Sequence, residues 1–301
     1  MRREATAFLA ALDDAQLAAA TRAFDGDADR RRLEYRPRPR PGLALAGLGR
    51  TARKAAHRLL ATALSPPAFA QAMAVIALEE VLDRREHGVN ARHSEDYQVV
   101  VFGTPGGDRW AWRFEGHHLS VTMTVVDGVV SPAPVFLGAN PSRVDLLGRP
   151  VLRPLAAEED LGRELLLAMT PATRARAVVA DEPPWDIRSG TRAAAGPLAP
   201  PGVARTDLRA GERAMLDQLV AVYLGRLPDE LAERLSPADV HFAWEGPPGP
   251  GVRHYYRIQG DDLLIEFDQT AGGDGHAHTV LRRPHGDFGG DLLAAHHAAL
   301  I

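Results

Sequence analysis

Apolar residues recur at helical spacing over five stretches, about residues 4–23, 50–63, 71–86, 157–169 and 212–225. In the last of these, Met215, Leu216, Leu219, Val220, Tyr223 and Leu224 follow the i, i+3, i+4 rule and form one wide stripe for a core. Two other blocks alternate with strand period and are rich in β-branched and aromatic residues: Tyr97 to about Val130, and Val240 to about Leu281. Between them, Asp181 to Arg205 is rich in Pro, Gly and Ala and reads as a linker. The run Arg36-Pro37-Arg38-Pro39-Arg40-Pro41 reads as extended polyproline II.

The two strand blocks share a pattern. Trp112-Arg113-Phe114-Glu115-Gly116-His117-His118-Leu119-Ser120-Val121 aligns without gaps on Tyr256-Arg257-Ile258-Gln259-Gly260-Asp261-Asp262-Leu263-Leu264-Ile265, 144 residues further on. A strand ending in a Gly/Pro turn precedes each copy, at Phe102–Gly107 and Trp244–Gly249, and an apolar helix precedes that, at 71–86 and 212–225. The expected fold class is therefore α+β: two repeat-related helix/β-hairpin halves, about 36–150 and 195–301, packed together with additional N-terminal and connecting helices. Residues 1–301 are expected to form a single compact unit.

Composition narrows the chemistry. The 301 residues are 45% hydrophobic and 25% charged with a formal net charge of −4, which is globular and offers no basic excess for nucleic acid or an anionic membrane. No cysteine is present, so disulfides, thiolate nucleophiles and Cys-ligated metals are excluded. Lys54 is the one lysine and sits on a polar helical face, which discounts a Schiff base. No apolar run reaches the roughly 18–20 residues that span a bilayer, and Asp13 and Asp14 interrupt the N-terminal apolar stretch where a secretory signal would continue; a cytoplasmic protein is expected. The GxSxG, P-loop, HExxH and strand-following GxGxxG patterns are absent.

What remains is histidine and carboxylate chemistry. On a strand, residues i and i+2 share a face with Cα atoms about 6.6 to 7 Å apart, so His276-Ala277-His278 presents two imidazoles to one ion. A hairpin through Thr270–Gly275 would bring Glu266 to the two histidines and complete a two-His, one-carboxylate set. His117 and His118, in the other copy, are further candidate ligands. Only one of them can join unless Gly116 makes a bulge, because adjacent strand residues face opposite ways. Glu115 and His285 are the candidate acid/base groups, with Asp287 nearby as a supporting carboxylate. Several other features have plainer readings. Arg113 and Arg257 read as structural partners of carboxylates such as Glu115 or Glu266, His296-His297 as a solvated helix face, and Trp110, Trp112, Tyr255 and Tyr256 as core or cleft lining.

Four motifs carry a resemblance over most of the chain, from Gly42-Leu43 to His296: Trp112–Ser120, Phe136-Leu137-Gly138-Ala139-Asn140-Pro141, Tyr255–Gly260, and His276-Ala277-His278 followed by Arg282-Arg283-Pro284. They resemble the family catalogued as domain-of-unknown-function family 3500. The resemblance implies that the GHH and HxH motifs belong to one shared pattern, and it implies no activity. Arg283 stands where that pattern leads one to expect an acidic residue before the proline. The cupin pattern, in which Glu follows HxH, is not matched, since Glu266 precedes it.

The expectation is a metal-dependent enzyme holding a divalent ion (zinc, manganese, iron or copper) through His117, His118, Glu266, His276 and His278, and acting on a small organic molecule. Hydrolysis ranks ahead of oxidoreductase chemistry because nothing in the sequence argues for a redox metal. The alternative is a non-catalytic ligand- or metal-binding protein using the same cleft. Neither nucleic acid nor membrane is an expected partner.

Overall fold

The computed structural model describes residues 1–235, 239–271 and 275–299. The first half of the chain contains helices α1 (Arg2–Ala10), α2 (Asp14–Ala20), α3 (Arg50–Ala61) and α4 (Pro66–Arg85). Its strands are β1 (Thr21–Arg22), β2 (Leu43–Ala44), β3 (Gln98–Gly103), β4 (Arg109–Gly116), β5 (Leu119–Val126), β6 (Val129–Ser131) and β7 (Val135–Ala139). A two-stranded hairpin, β8 (Val144–Leu146) and β9 (Arg149–Leu152), follows. The second half adds helices α5 (Ala156–Ala168), α6 (Pro171–Ala177), α7 (Ala210–Leu224), α8 (Asp229–Ala232) and α9 (Gly290–Ala299). Its strands are β10 (Val178–Ala180), β11 (Val203–Ala204), β12 (His241–Glu245), β13 (His254–Gln259), β14 (Leu264–Ala271) and β15 (His276–Arg282).

The five helical stretches expected from periodicity all form, with one difference. The stretch at 4–23 is two helices, because Asp13 caps α2 by accepting from the Gln16 backbone N–H at 2.8 Å while the Gln16 side chain accepts from the Asp13 N–H. That capping box fixes a helix start where the apolar period alone runs on.

The strands build one large, mostly antiparallel sheet in the order β1-β3-β4-β5-β7-β15-β14-β13-β12-β10, so the fold is mixed α/β with the two strand blocks meeting at β7 and β15. β1 lies parallel to β3 at one end, and β10 parallel to β12 at the other.

Strand alternation sorts the sheet into an apolar and a polar face. Val99, Trp112, Phe114, Val121, Tyr256 and Phe267 point to one side, where they share a core with Leu59 and Leu60 of α3, Val75 of α4, Leu165 of α5 and Leu219 of α7. Trp110 joins this core, and Tyr255, on the other face, is equally buried.

The residues between them point the other way and are polar, yet buried: Arg113, Glu115, Ser120, Glu245, Arg257, Glu266, Asp268 and Arg282 are all 2% exposed or less. Helix α9 covers one corner of this face, where Leu293 packs on Phe24, Val100, Phe102 and Ala111. Mostly irregular chain covers the rest: just ahead of the Arg36–Pro41 run, the Asp29 carbonyl accepts from Arg113 at 2.8 Å and the Glu34 N–H donates to Glu115 at 3.3 Å, while from the segment read as linker the Ser189 N–H donates to Glu266 at 3.1 Å and the Leu198 N–H to the Gln259 side chain at 3.1 Å. Irregular chain carries spare backbone donors and acceptors, so a polar face can be covered by it without leaving groups unpaired. Arg113 pairs with Glu115, as expected, whereas Arg257 pairs with Glu245 at 2.7 Å and not with Glu266.

On the apolar face α5 lies close to the sheet through Gly162, where an added Cβ would come within 2.4 Å of the Tyr256 ring. That ring cannot swing aside, because its hydroxyl is held by the Glu158 carbonyl at 2.8 Å and the Tyr223 hydroxyl at 2.7 Å. Gly162→Ala gains at most about 1 kcal/mol of helix propensity and loses roughly 1–3 kcal/mol to overpacking. The expected outcome is net destabilisation, read as a lowered urea midpoint with an unchanged m-value.

Candidate metal centre

Three imidazoles converge at one end of the central strands. His276 and His278 lie on the loop-covered face of β15, as their spacing requires, and the turn between β4 and β5 delivers His118 to them. His118 Nε2 is 2.7 Å from His276 Nε2, and the donor atoms of His118, His276 and His278 all lie within 4.8 Å of one another. Two nitrogens bound to one tetrahedral ion at about 2.0–2.1 Å are roughly 3.3 Å apart, so His118 and His276 must separate by about half an ångström to admit one.

His117 and His118 are not on a strand, which is why the rule of alternating faces does not separate them. β4 ends at Gly116 and β5 begins at Leu119, and His118 sits at φ +64° in the turn. Its backbone is tied on both sides: the His118 N–H donates to the Tyr35 carbonyl at 3.0 Å, and the Gly138 N–H donates to the His118 carbonyl at 2.7 Å. The His117 ring packs on the His118 ring with centroids 3.6 Å apart. Gly138 lies opposite His278 in the β7–β15 register and makes room for the cluster, since a Cβ there would be 2.7 Å from His118 Cδ2 and 3.0 Å from His278 Cδ2.

Carboxylates stand behind the rings. Glu79 of α4 places Oε1 at 2.7 Å from His117 Nδ1 and 3.9 Å from His118 Nδ1. Arg92 Nη1 also approaches His117 Nδ1, at 3.2 Å. One ring nitrogen cannot serve both, and the shorter, charge-assisted contact assigns Nδ1–H as donor to Glu79. Asp186 accepts from His278 Nδ1 at 2.8 Å through Oδ1 and from the Tyr35 hydroxyl at 2.8 Å through Oδ2. A carboxylate behind a ligand imidazole fixes its tautomer and raises its basicity, and here it leaves His278 Nε2 for the cluster.

The electrostatics favour neutral rings at His118 and His276. Burial, then the neighbouring histidines, holds His118 well below the usual imidazole range, and burial with His278 brings His276 down to about 3. Asp186 lies below the usual carboxylate range: burial opposes this, and the His278 and Tyr35 hydrogen bonds overcome it. Asp268, on the same face, is pushed up to about 9 by burial and the nearby Asp186 charge.

The remaining expected site residues are placed elsewhere. Glu266 lies opposite Val280 and not opposite the histidines; its carboxylate accepts from the Ser189 N–H and from the Tyr255 hydroxyl at 2.8 Å. The carboxylate opposite His278 is Asp268. The expected turn between these strands lies largely outside the described residues. Glu115 is enclosed by Arg113, Ser120 and the Glu34 N–H, and burial raises its pKa. His285 lies beyond the far end of β15, roughly 20 Å along the strand from His276, on the wall of a cavity of about 350 Å³ with His241 and Asp261. Asp287 pairs with Arg282 at 2.6 Å. Glu79, Asp186, Asp268 and Tyr35 were not singled out from the sequence; a lone acid in an apolar helix was the one available signal, and only Glu79 offered it together with Glu80.

A second cavity of about 350 Å³ is walled by Pro37, Arg38, Arg40, Glu79, Arg92 and His117 among others. The three clustered rings are not in its wall; it approaches them through Glu79 and through His117, which lies against His118.

Residues 1–290 match the family described as protein of unknown function, DUF3500. The chain belongs to DUF3500. No curated protein and no solved structure matches it. In this DUF3500 protein the two motifs that carried the resemblance, Gly116-His117-His118 and His276-Ala277-His278, are the ones the fold joins. Arg283, at the position where an acid was expected, is held by Asp262 and by Asp291 at 2.8 Å.

Two outcomes follow for the cluster. His276 is neutral in the fold and takes up a proton on unfolding below about pH 6.5, so its contribution is complete above that pH and is lost as pH falls towards 3. Lowering the pH from about 6.5 to about 4.5 should cost the wild type roughly 2–3 kcal/mol more than it costs His276→Gln, read from urea titrations of both. Gly138→Ala should destabilise by roughly 1–3 kcal/mol and weaken metal uptake, because its methyl group collides with two of the three rings.

Proposed function

We propose that this protein is a metal-dependent enzyme in which His118, His276 and His278 hold a divalent transition metal ion, and that it hydrolyses a small organic molecule. The observation that carries the reading is the convergence of three imidazoles on one point, two of them buried, with His118 and His276 held below the usual imidazole range and Asp186 fixing the tautomer of His278. Three neutral nitrogens suit zinc, iron, manganese or copper and do not suit magnesium or calcium. A bound ion of this kind supplies Lewis acidity and lowers the pKa of water at neutral pH.

The chain supplies the rest. Glu79 Oε1 accepts from His117 Nδ1–H, so His117 Nε2 can take up a proton from the reacting molecule or water while Glu79 stabilises the imidazolium that forms. Arg38, Arg40 and Arg92 on the same wall favour an organic molecule bearing a negative group. In this reading Glu79 and His117 take the acid/base part first assigned to Glu115 and His285. The ligand is a small molecule, and neither nucleic acid nor membrane is invoked; among the described residues no helix is long and apolar enough to cross a membrane. The non-catalytic alternative is favoured by one observation, that His118 and His278 are only 2% and 6% exposed, which resembles a closed holding site.

We read the two flanks of the sheet as repeat-related halves of one unit. The matched strands support this: Trp112 pairs with Val101 and Met123, and Tyr256, its counterpart, pairs with Trp244 and Phe267. The parallel outer strands β1 and β10, each following a short helix, extend the match.

Elemental analysis of protein purified without chelator tests the metal. The wild type is expected to carry a transition metal that His118→Ala/His276→Ala lacks, with far-UV circular dichroism unchanged. Equal metal in both, or no metal and no shift in Tm on adding zinc, manganese, iron(II) or copper, overturns the reading. Glu79→Gln then separates enzyme from holder: with metal retained, hydrolysis of a panel of anionic esters, amides and lactones should fall by about 10²–10⁴-fold if Glu79 is the acid/base group.

A further inference from the structure

The carboxylate of Asp268 is the least accounted for group in the molecule. Its residue is 0% exposed, yet neither side-chain oxygen has a hydrogen-bond partner. An unpartnered buried carboxylate is costly, and an unseen ion is one of the few things that account for such a group. Protonation removes the charge but leaves an O–H and a C=O that still lack partners, so a proton alone does not account for it. Arg253, the cation whose field reaches Asp268, is engaged elsewhere: it donates to the Pro184 carbonyl at 3.1 Å and lies over the Trp185 ring.

Asp268 is also aimed at something. It sits directly opposite His278 in the β14–β15 register and therefore on the same face. Asp186 arrives from the Pro-rich segment with Oδ1 at 2.8 Å from His278 Nδ1, and the donor atoms of Asp186, Asp268 and His278 lie within 4.8 Å of one another. Tyr35 holds the other oxygen of Asp186, so the oxygen facing His278 is set in place.

We propose that Asp186, Asp268 and the Nδ1 edge of His278 form a second cation position, sharing the His278 ring with the three-histidine centre. Two carboxylate oxygens and one imidazole nitrogen suit zinc, manganese or iron(II), and the anionic set supplies the charge that the all-imidazole set lacks. His278 would then present Nε2 to one ion and Nδ1 to the other. For that the Nδ1 proton, now donated to Asp186, must leave to solvent, so loading of the second position releases at least that proton. With about 2.0–2.1 Å on each side of the ring, the ions would stand roughly 6 Å apart. The inference rests on the three-histidine reading for the shared ring and not for its own carboxylates.

Apo-protein is titrated with zinc(II) by calorimetry in buffers of different ionisation enthalpy, and with copper(II) followed by electron paramagnetic resonance. The wild type is expected to take two equivalents, to release a proton with the second, and to lose copper signal as the second ion couples to the first through the ring. Asp268→Asn, which keeps the side-chain size, and His118→Ala/His276→Ala should each take one. A wild type that saturates at one equivalent, lost in the histidine variant and kept in Asp268→Asn, overturns the second position and leaves the three-histidine centre standing. One equivalent lost in Asp268→Asn and kept in the histidine variant does the reverse: the carboxylate position stands and the first reading falls. Two equivalents in Asp268→Asn overturn the proposal. Should Asp268→Asn lower Tm markedly, Asp268→Glu, which retains the charge, must keep the second equivalent, and its loss there counts against the proposal.

Discussion

The architecture depends on one constraint: a large, mostly antiparallel sheet is buried on both faces, one apolar and the other carrying buried charge between small apolar clusters. The helices satisfy the apolar face by close packing, as Leu59, Leu165 and Leu219 do against Trp112 and Tyr256. The other face carries Arg113, Glu115, Arg257, Glu266 and Asp268 at essentially no exposure, and all of these but Asp268 find hydrogen-bond or ion-pair partners inside the protein, as buried charge requires. Irregular chain meets that need better than a helix, whose backbone groups are already bonded to one another. The proline-rich segments around Arg30–Arg40 and Pro183–Pro200 are thus a structural layer, and the site is assembled beneath it.

The histidine cluster follows from the same constraint. His276 and His278 face this second layer, and the turn that carries His118 is pinned to it by the Tyr35 carbonyl. Gly138 keeps the space above the central strands open, so three rings meet where side chains would ordinarily exclude one another. The rings are held by backbone bonds, by ring stacking and by carboxylates behind them, and little ordering remains to be done when a ligand arrives. Burial holds His118 and His276 below the usual imidazole range, and Glu79 and Asp186 place carboxylate charge beside the cluster.

Much of this was visible along the chain, and the gaps have definite causes. The strand period placed His276 and His278 on one face, and the aligned motifs singled out His117 and His118. Glu266 was chosen because it precedes the histidines on a strand, whereas pairing set Asp268 opposite His278, two residues on. A shift of two residues preserves the face and changes the neighbour, so periodicity cannot detect it. Asp186 looked like part of a linker, because its contribution depends on a segment folding back over a sheet formed some 90 residues later. Glu115, a candidate acid/base group by its letters, is joined to Arg113, which the sequence already read as a structural partner of such a carboxylate, and to backbone.

Local physics, read from the sequence alone, determined the elements: helices where apolar residues recur at the helical period, strands where they alternate, and a break at Asp13 that its capping geometry explains. It also determined that any side-chain chemistry must use oxygen and nitrogen groups, since the chain has no cysteine. Only the tertiary structure decided which of those groups meet. Strand register, the left-handed turn at His118 and the path of the covering segments are set by contacts between residues far apart in sequence, and periodicity carries no information about them.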